Sequence, residues 1–259
     1  MKRISIIGSV GIPACYGGFE TFVDNFVERM SDAAEITVFC SGKTYMEQPS
    51  SYKGAQLKYV NLKANGSQSV FYDGVSLFRA AFTSDACLVL GVSGAIFFPL
   101  FRLISRAKLV CNIDGTEWKR QKWSGAAKAF LRFSEYLAVK LAHVVIADSQ
   151  VIRDYVSDEY RRPSTFIPYG GDHVRVRDFG DELFKEFGIA RGGYYLNIAR
   201  IEPENNSGTM LEAFSRMPEK TFVIFGDWRG TAYAKDLWDR YHGFPNILML
   251  GTMFDRQKE

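Results

Sequence analysis

The stretch Gly8-Ser9-Val10-Gly11-Ile12-Pro13-Ala14-Cys15-Tyr16-Gly17-Gly18-Phe19-Glu20 decides how this chain folds. It follows Ile4-Ser5-Ile6-Ile7, an apolar run that is typical of a buried strand. After it, apolar residues recur at a helical spacing, namely Phe19, Phe22, Val23, Phe26, Val27 and Met30. A glycine-rich loop is therefore predicted to join a strand to a helix. The backbone N–H groups of such a loop lie at the positive end of the helix dipole, where a phosphate binds well. Gly17 and Gly18 leave room for the close approach of that anion.

Two common phosphate-binding motifs fit this chain poorly. A dinucleotide fingerprint needs G-x-G-x-x-G, but the first glycines are Gly8 and Gly11, and the next predicted strand, 36–40, ends without a carboxylate. Gly42-Lys43-Thr44 matches only the end of a P-loop, because Thr37 stands where its first glycine belongs. An NAD, FAD or P-loop site is therefore not expected.

Strand and helix patterns alternate along the whole chain, which indicates an α/β fold with parallel sheets and helices on both faces. Predicted strands cover 57–62, 86–90, 108–113, 144–147, 165–167, 194–199, 222–225 and 247–250, with helices over 70–83, 95–104, 126–142, 209–214 and 232–240. The loop Pro168-Tyr169-Gly170-Gly171-Asp172 is predicted to be a hinge between a first domain, residues 1–172, and a second, residues 173–259. Three strands are predicted in the second domain, where a doubly wound nucleotide domain usually has five or six, so we expect it to be incomplete.

Composition narrows the possible functions. The chain has 259 residues, of which 47% are hydrophobic and 24% charged, and a net charge of +3, which is too small to indicate nucleic acid. The four cysteines, Cys15, Cys40, Cys87 and Cys111, are widely spaced, so buried free thiols in a reducing cytoplasm are expected. No signal peptide or membrane-spanning segment is predicted, which leaves only peripheral membrane contact.

A second cluster of polar residues follows the strand at 108–113, where ligands bind in open α/β sheets. Its two carboxylates, Asp114 and Glu117, are candidates to orient a hydroxyl group or accept its proton. The alternative is that Asp114 is a turn residue and that Glu117 caps the next helix. Around them lies a cationic and aromatic run made of Trp118, Lys119, Arg120, Lys122, Trp123, Lys128 and Arg132. This run is predicted either to hold anionic lipid headgroups or a pyrophosphate-linked lipid, or to be a solvated helix face.

A third cluster, Arg200-Ile201-Glu202-Pro203-Glu204-Asn205-Asn206, separates a predicted strand from a helix. The guanidinium group of Arg200 is well shaped to bind phosphate oxygens.

Trp228, after the next strand, is predicted to stack on a base or to be half-buried. His143 is predicted to be structural, and His173 in the hinge loop is a weak site candidate. No histidine and carboxylate spacing indicates a metal.

The loop Gly11-Ile12-Pro13-Ala14-Cys15-Tyr16-Gly17-Gly18-Phe19-Glu20-Thr21-Phe22 resembles the opening loop of bacterial glycosyltransferases of family 4. It is most similar to the rhamnosyltransferase-like branch that builds capsule and O-antigen repeats. The segments 114–123 and 200–206 share this resemblance, which covers essentially the whole chain. It implies the GT-B fold, in which two Rossmann-like domains enclose the substrates. It also implies retaining, metal-independent transfer of a sugar, with dTDP-rhamnose as the expected donor and a UDP- or GDP-sugar as the alternatives.

The resemblance assigns roles to particular residues. Donor binding falls to Gly17, Gly18, Arg200 and Asn205, the last of which stands where the family has a lysine that neutralises the diphosphate. Acceptor binding falls to Tyr16, Glu20, Trp118, Lys119 and Arg120, beside the catalytic candidates Asp114 and Glu117. The implied partners are a nucleotide sugar, a lipid-linked saccharide and the inner face of the plasma membrane, with no nucleic acid, no metal and no other cofactor.

The family also has a glycine-rich segment with two glutamates that the 259 residues do not reach, so weak or absent transferase activity is expected of this chain. The competing hypothesis is a non-catalytic homologue that binds a saccharide or a protein partner. A nicotinamide oxidoreductase is the third class, and the broken fingerprint argues against it.

Overall fold

The structure, a computed structural model, describes residues 1–120, 123–171 and 181–252. The chain divides into two compact units, Met1–His173 and Val174–Glu259.

The first unit is built on an eight-stranded sheet. Its strands are β1 (Lys2–Ile7), β2 (Ala34–Ser41), β3 (Ser51–Tyr52), β4 (Ala55–Val60), β5 (Ala86–Leu90), β6 (Lys108–Asn112), β7 (Val144–Ala147) and β8 (Thr165–Phe166). Their order is β3-β4-β2-β1-β5-β6-β7-β8, and every pair is parallel except β3 with β4. The carboxyl ends of the seven parallel strands therefore lie along one edge of the sheet.

Five α-helices connect these strands, namely α1 (Gly18–Met30), α2 (Ser69–Ala80), α3 (Phe98–Ile104), α4 (Gly125–Leu141) and α5 (Gln150–Tyr160). Short 3₁₀ turns cover Gly66–Gln68, Ser93–Phe97 and Glu117–Lys119. The hydroxyl groups of Ser124 and Ser149 cap α4 and α5 by accepting hydrogen bonds from the backbone N–H groups of Ala127 and Ile152.

The sheet is covered on both faces, so its core has two parts. On one face α1 packs through Val23 and Val27 against Ile36 and Val38 of β2. On the other face α2, α3 and α4 pack together over residues such as Val89 of β5. Two-sided burial explains why the central strands are almost continuously apolar.

The second unit contains a three-stranded parallel sheet in the order β11-β10-β9. Its strands are β9 (Tyr194–Ile198), β10 (Thr221–Phe225) and β11 (Ile247–Leu250). Its helices are α6 (Glu182–Glu186), α7 (Ser207–Ser215) and α8 (Ala232–Tyr241), with a 3₁₀ turn over Pro203–Asn205. Its core is separate from the first unit's and includes Leu211, Phe222 and Leu237.

Most predicted elements are present, and the differences have local causes. The predicted helix 95–104 begins as a 3₁₀ turn at Ser93 and becomes α-helical at Phe98, next to Pro99. The sequence analysis missed helix α5 and the two-residue strand β3. The cysteines are free, as predicted, and Cys15 alone among them is partly exposed.

Candidate functional site

The candidate site lies where the parallel strands of the first unit end. From β1 the chain adds β2 and β4 on one side of the sheet and then returns to add β5 on the other side of β1. The strand order therefore reverses between β1 and β5. Ligands of open α/β sheets bind at such a point, beyond the carboxyl ends of the strands. The loop after β1 is the glycine-rich stretch that was singled out in the sequence.

The first two glycines of this loop are required by packing. Gly8 has a φ of +96°, and a Cβ atom there would lie 2.1 Å from the carbonyl oxygen of Leu90. Gly11 has a φ of +130°, and its Cβ would lie 2.6 Å from the sulfur of Cys40, which is fully buried beneath the loop. Both positions therefore need glycine for the loop to sit against β2 and β5.

The second two glycines are not required by packing. Helix α1 begins at Gly18, and Gly17 precedes it with extended backbone and no side-chain cap. A Cβ on Gly18 would meet nothing within 4 Å, and one on Gly17 would meet only Glu20 Oε2, at 3.5 Å. Gly18 is thus open on the side where a Cβ would stand, at a helix end whose first N–H groups can bind an anion.

Glu20 supports the loop from below, a role that the sequence analysis did not assign to it. It is 3% exposed, and its Oε1 accepts a hydrogen bond of 2.6 Å from the backbone N–H of Val10. Asp24, one turn later, accepts from the backbone N–H of Ala14 and pairs with Lys53 at 2.7 Å. Contact of Glu20 with an acceptor stays a prediction. The other acceptor candidate in this loop, Tyr16, has a side chain that is 42% exposed to solvent.

Asp114 lies at the end of β6 in a tight turn. Its φ is +57°, and its N–H donates to Oδ1 of Asn112, as in the turn reading of this residue. The amide of Asn112 donates at 2.9 Å to the hydroxyl of Tyr169, whose ring contacts Phe22 of α1. Burial raises the pKa of Tyr169, and the nearby carboxylates of Asp114 and Asp148 raise it further. The exposed Asp114 therefore shares one edge of the sheet with the glycine loop and Tyr169.

Glu117 is engaged by its neighbours in the 3₁₀ turn. Its carboxylate accepts hydrogen bonds from Arg120 at 3.1 Å and from the indole N–H of Trp123 at 3.1 Å. These contacts suit a carboxylate that shapes the loop better than one that accepts a proton from a substrate. Catalytic roles for Asp114 and Glu117 both stay predictions.

The cationic and aromatic run forms a stack around Trp118. The ammonium group of Lys119 lies 5.3 Å from the indole ring, and the guanidinium group of Arg132 lies 5.0 Å from it. Such cation–π contacts fix the ring and its two cations together. Lys122 lies outside the described residues.

In the second unit, Arg200 follows β9 and is exposed. The side-chain amide of Asn205 donates at 2.7 Å to the carbonyl oxygen of Arg200, so Asn205 closes the turn in which the arginine sits. Among the described residues, the fully buried hydroxyl of Ser207 at the start of α7 has no hydrogen-bond partner. The sequence analysis did not single out Ser207, nor Asn112 and Tyr169 in the first unit.

The structure also bears on Trp228 and His143, while His173 lies outside the described residues. Trp228 is 6% exposed and donates to the carbonyl oxygen of Leu250, so it is a core residue and the stacking hypothesis is wrong for this arrangement. His143 is structural, since its Nδ1 accepts from the N–H of Leu109.

The described residues contain neither a metal-binding group nor a membrane-spanning helix. Over 1–120, 123–171 and 181–252, no group of three histidine, cysteine or acidic side chains is placed to hold a metal ion. In the same part of the chain, no helix combines the length and apolarity needed to cross a bilayer.

Known structures resemble the chain over nearly its whole length. Sucrose-phosphate synthase from Thermosynechococcus elongatus matches with a TM-score of 0.79 at 12% identity, covering 98% of this chain and 71% of that one. Anabaena Alr3699/HepE, solved with UDP and glucose, matches with a TM-score of 0.71 at 18% identity, covering 99% and 71%. The catalytic domain of starch synthase IV from Arabidopsis thaliana, bound to ADP and acarbose, gives 0.65 at 10% identity, covering 97% and 74%. These likenesses confirm the predicted α/β fold of the GT-B type.

Comparison at the level of sequence gives a narrower result. No curated protein matches the chain. One family, described as a domain of unknown function (DUF1972), matches residues 1–172, which is more than half of the sequence. The glycine loop, Asp114 and Tyr169 all lie within that range, and the chain belongs to the DUF1972 family.

Proposed function

We propose that the chain is a glycosyltransferase that moves a sugar from a nucleotide-sugar donor to a saccharide acceptor. The finer proposal is that the sugar is rhamnose from dTDP-rhamnose, that the acceptor is a lipid-linked saccharide of capsule or O-antigen synthesis, and that transfer is retaining and metal-independent. This places the protein among family 4 enzymes, in the rhamnosyltransferase-like branch, with work at the cytoplasmic face of the membrane.

The observation that carries the proposal is the contrast between the two pairs of glycines. Gly8 and Gly11 are needed by the fold, whereas Gly17 and Gly18 border open space at the start of α1. Glycine at a site that packing does not require is explained by a ligand that approaches the backbone. The positive end of α1 favours a negatively charged ligand there.

Each part of the proposed reaction has a candidate residue. In the second unit, Arg200 would stabilise negative charge on the departing diphosphate, and the first N–H groups of α7 lie close to it in sequence. In the first unit, the first N–H groups of α1 would hold a negatively charged group of a substrate. Asp114 would orient the acceptor hydroxyl, with Tyr169 and Asn112 holding the turn in which it lies. Trp118, Lys119 and Arg120 would bind the saccharide or the pyrophosphate of the acceptor.

Calorimetric titration with dTDP, UDP, GDP and dTDP-rhamnose tests the donor part of this proposal. We expect one nucleotide to bind in the micromolar range, about −8 kcal/mol, and Arg200→Ala to abolish that binding. Arg240→Ala is the matched control, because Arg240 is exposed on α8 and pairs with Asp236. Absence of binding to all four compounds would contradict the proposal for the donor.

A second candidate function is a saccharide-binding module that does not transfer sugar. Asn205 favours it, because this residue closes a turn instead of adding a positive charge beside Arg200. Release of dTDP from dTDP-rhamnose, measured with a lipid-linked saccharide, separates the two. Turnover that Asp114→Asn lowers by about 100-fold or more would establish the transferase, and saccharide binding without turnover would establish the module.

A further inference from the structure

Three helices of the first unit share one face of its sheet. Helices α2, α3 and α4 pack on the same core cluster, with Phe97 pressed against Gly74 of α2. Arg102 of α3 donates at 3.1 Å to the carbonyl oxygen of Leu141, the last residue of α4. Their outer sides therefore form one continuous surface, here called the three-helix face.

The three-helix face is unusually apolar for an outer surface. On and just after α2, the exposed apolar side chains recur at helical spacing, so this helix is apolar on its outer side as well as on its inner side. The exposed large apolar residues of the three-helix face are Phe71, Val75, Phe78, Phe82, Ile96, Leu100, Leu103, Phe133 and Tyr136. Phe82 is 64% exposed and Leu103 is 83% exposed. A patch of this kind marks an interaction site.

The charges on the same helices have one sign. Within the described ranges of α2, α3 and α4, the carboxylates are Asp73 and Glu135, and both are buried. The cations of the same helices are Arg79, Arg102, Lys128, Arg132 and Lys140. Arg79, Arg102 and Lys140 each donate to a backbone carbonyl oxygen, and Arg132 pairs with Glu159 of α5. The face thus offers apolar side chains and positive charge to whatever covers it.

We propose that the three-helix face binds the surface of a bilayer that contains anionic phospholipid. Leucine and phenylalanine side chains enter the boundary between headgroups and acyl chains, while lysine and arginine side chains contact lipid phosphates. A protein partner would have to match the apolar surface with a carboxylate-rich rim, whereas an anionic bilayer supplies both properties over any area. This inference rests on the membrane location given in the proposed function and deepens it by naming the surface that contacts lipid. Lipid binding needs neither donor nor acceptor, so it is tested separately from sugar transfer.

Co-sedimentation of the full chain with vesicles tests the proposal. We expect binding to vesicles of phosphatidylcholine with phosphatidylglycerol and weaker binding to phosphatidylcholine alone. The pair Phe82→Ser and Leu103→Ser should lower the partition coefficient by about tenfold or more, since both apolar side chains leave water when the face binds the bilayer. The matched control is Met46→Ser with Leu196→Ser, which removes side chains that are 97% and 50% exposed, one in the loop after β2 and one on β9 of the second unit.

A second pair of variants tests the charge. Lys128→Glu with Lys140→Glu should remove the preference for phosphatidylglycerol, whereas Lys220→Glu with Lys235→Glu, in the second unit, should leave it unchanged. Circular dichroism checks that every variant is folded. The proposal would be overturned if the full chain did not bind the anionic vesicles, or if both control pairs reduced binding as much as the test pairs. It would also be overturned if the face mediated self-association in light scattering while vesicles did not bind.

Discussion

A single methyl group distinguishes the two kinds of glycine in the loop after β1. At Gly8 the added Cβ would collide with the backbone of β5, and the positive φ adds strain for any other residue. At Gly18 the added Cβ would meet nothing within 4 Å, and the residue is already the first of helix α1. The same substitution therefore tests stability at one position and ligand binding at the other.

We expect Gly8→Ala to lower the free energy of unfolding by more than about 2 kcal/mol, because both the collision and the backbone strain must be relieved. We expect Gly18→Ala to be neutral or slightly stabilising, since alanine is the better helix former. Urea denaturation measures both. Nucleotide binding should nevertheless fall in Gly18→Ala, and a variant that binds as well as the parent chain would contradict a ligand at that helix end.

A buried acid at Asp73 gives the stability a pH dependence. Burial raises its pKa to about 7 from an ordinary value of 3.8, and hydrogen bonds from Ser93 and from the N–H of Gly94 offset part of that shift. The folded state therefore holds a proton that the unfolded state has released over this range, so the stability falls as the pH rises through it.

We expect the free energy of unfolding to fall between about pH 4 and about pH 7 by an amount on the order of 1–4 kcal/mol, and Asp73→Asn to remove most of that slope. Asp85→Asn is the control, because the pKa of Asp85 is lowered to about 2 by Arg3 and this group does not titrate in the range. A slope that is the same in Asp73→Asn and the parent chain would show that another group is responsible.

Among the elements, α4 and α5 show what a sequence pattern can and cannot reveal. Helix α4 was predicted from its apolar stripe, within one residue of its observed bounds. Helix α5 was missed although its apolar residues recur at helical spacing, namely Val151, Ile152, Tyr155, Val156 and Tyr160. Its position depends on a polar contact, in which the hydroxyls of Tyr155 and Tyr160 donate to Oε1 of the fully buried Glu135 of α4, at 2.6 and 2.5 Å. Long-range polar contacts of this kind leave no periodic signal.

We expect Tyr155→Phe and Tyr160→Phe each to lower the free energy of unfolding by about 1–3 kcal/mol, because a buried carboxyl group loses a hydrogen-bond donor. Tyr136→Phe, which removes the hydroxyl of a residue that is 47% exposed on the neighbouring helix α4, should stay within about 0.5 kcal/mol of the parent chain. If all three variants gave equal stabilities, the contact would not hold the two helices together.

On the scale of the whole molecule, the sequence was sufficient to predict the α/β class and most helices and strands. This is because apolar residues follow one spacing in buried parallel strands and another in amphipathic helices. It was also sufficient to place Asp114 and the glycine loop at the ends of β6 and β1, since chain order alone dictates that. It did not reveal that Tyr169 meets Asn112 and Phe22, because these contacts join residues far apart in sequence. Nor did it reveal that Trp228 is buried, which depends on the position of β11.

The separate cores predict independent folding of the first unit. Its two core clusters draw only on residues of Met1–His173, and the cluster of the second unit draws only on residues after it. We expect a fragment of residues 1–173 to unfold cooperatively, within a few degrees of a transition of the full chain in calorimetry. A fragment that ends at Leu141 lacks β7, α5 and β8 and should not fold. Failure of the longer fragment to unfold cooperatively would contradict the independence of the unit.

Because Cys40 is buried beneath Gly11, the rate at which its thiol is labelled reports how often the loop opens. A thiol reagent can reach Cys40 only when the loop lifts, whereas Cys87 lies in the core on the other face of the sheet. Burial raises the pKa of both thiols to about 12, so they differ little in intrinsic reactivity. Labelling of Cys40 that is faster than labelling of Cys87 would therefore count local openings of the loop, and a nucleotide that settles on the end of α1 should slow it.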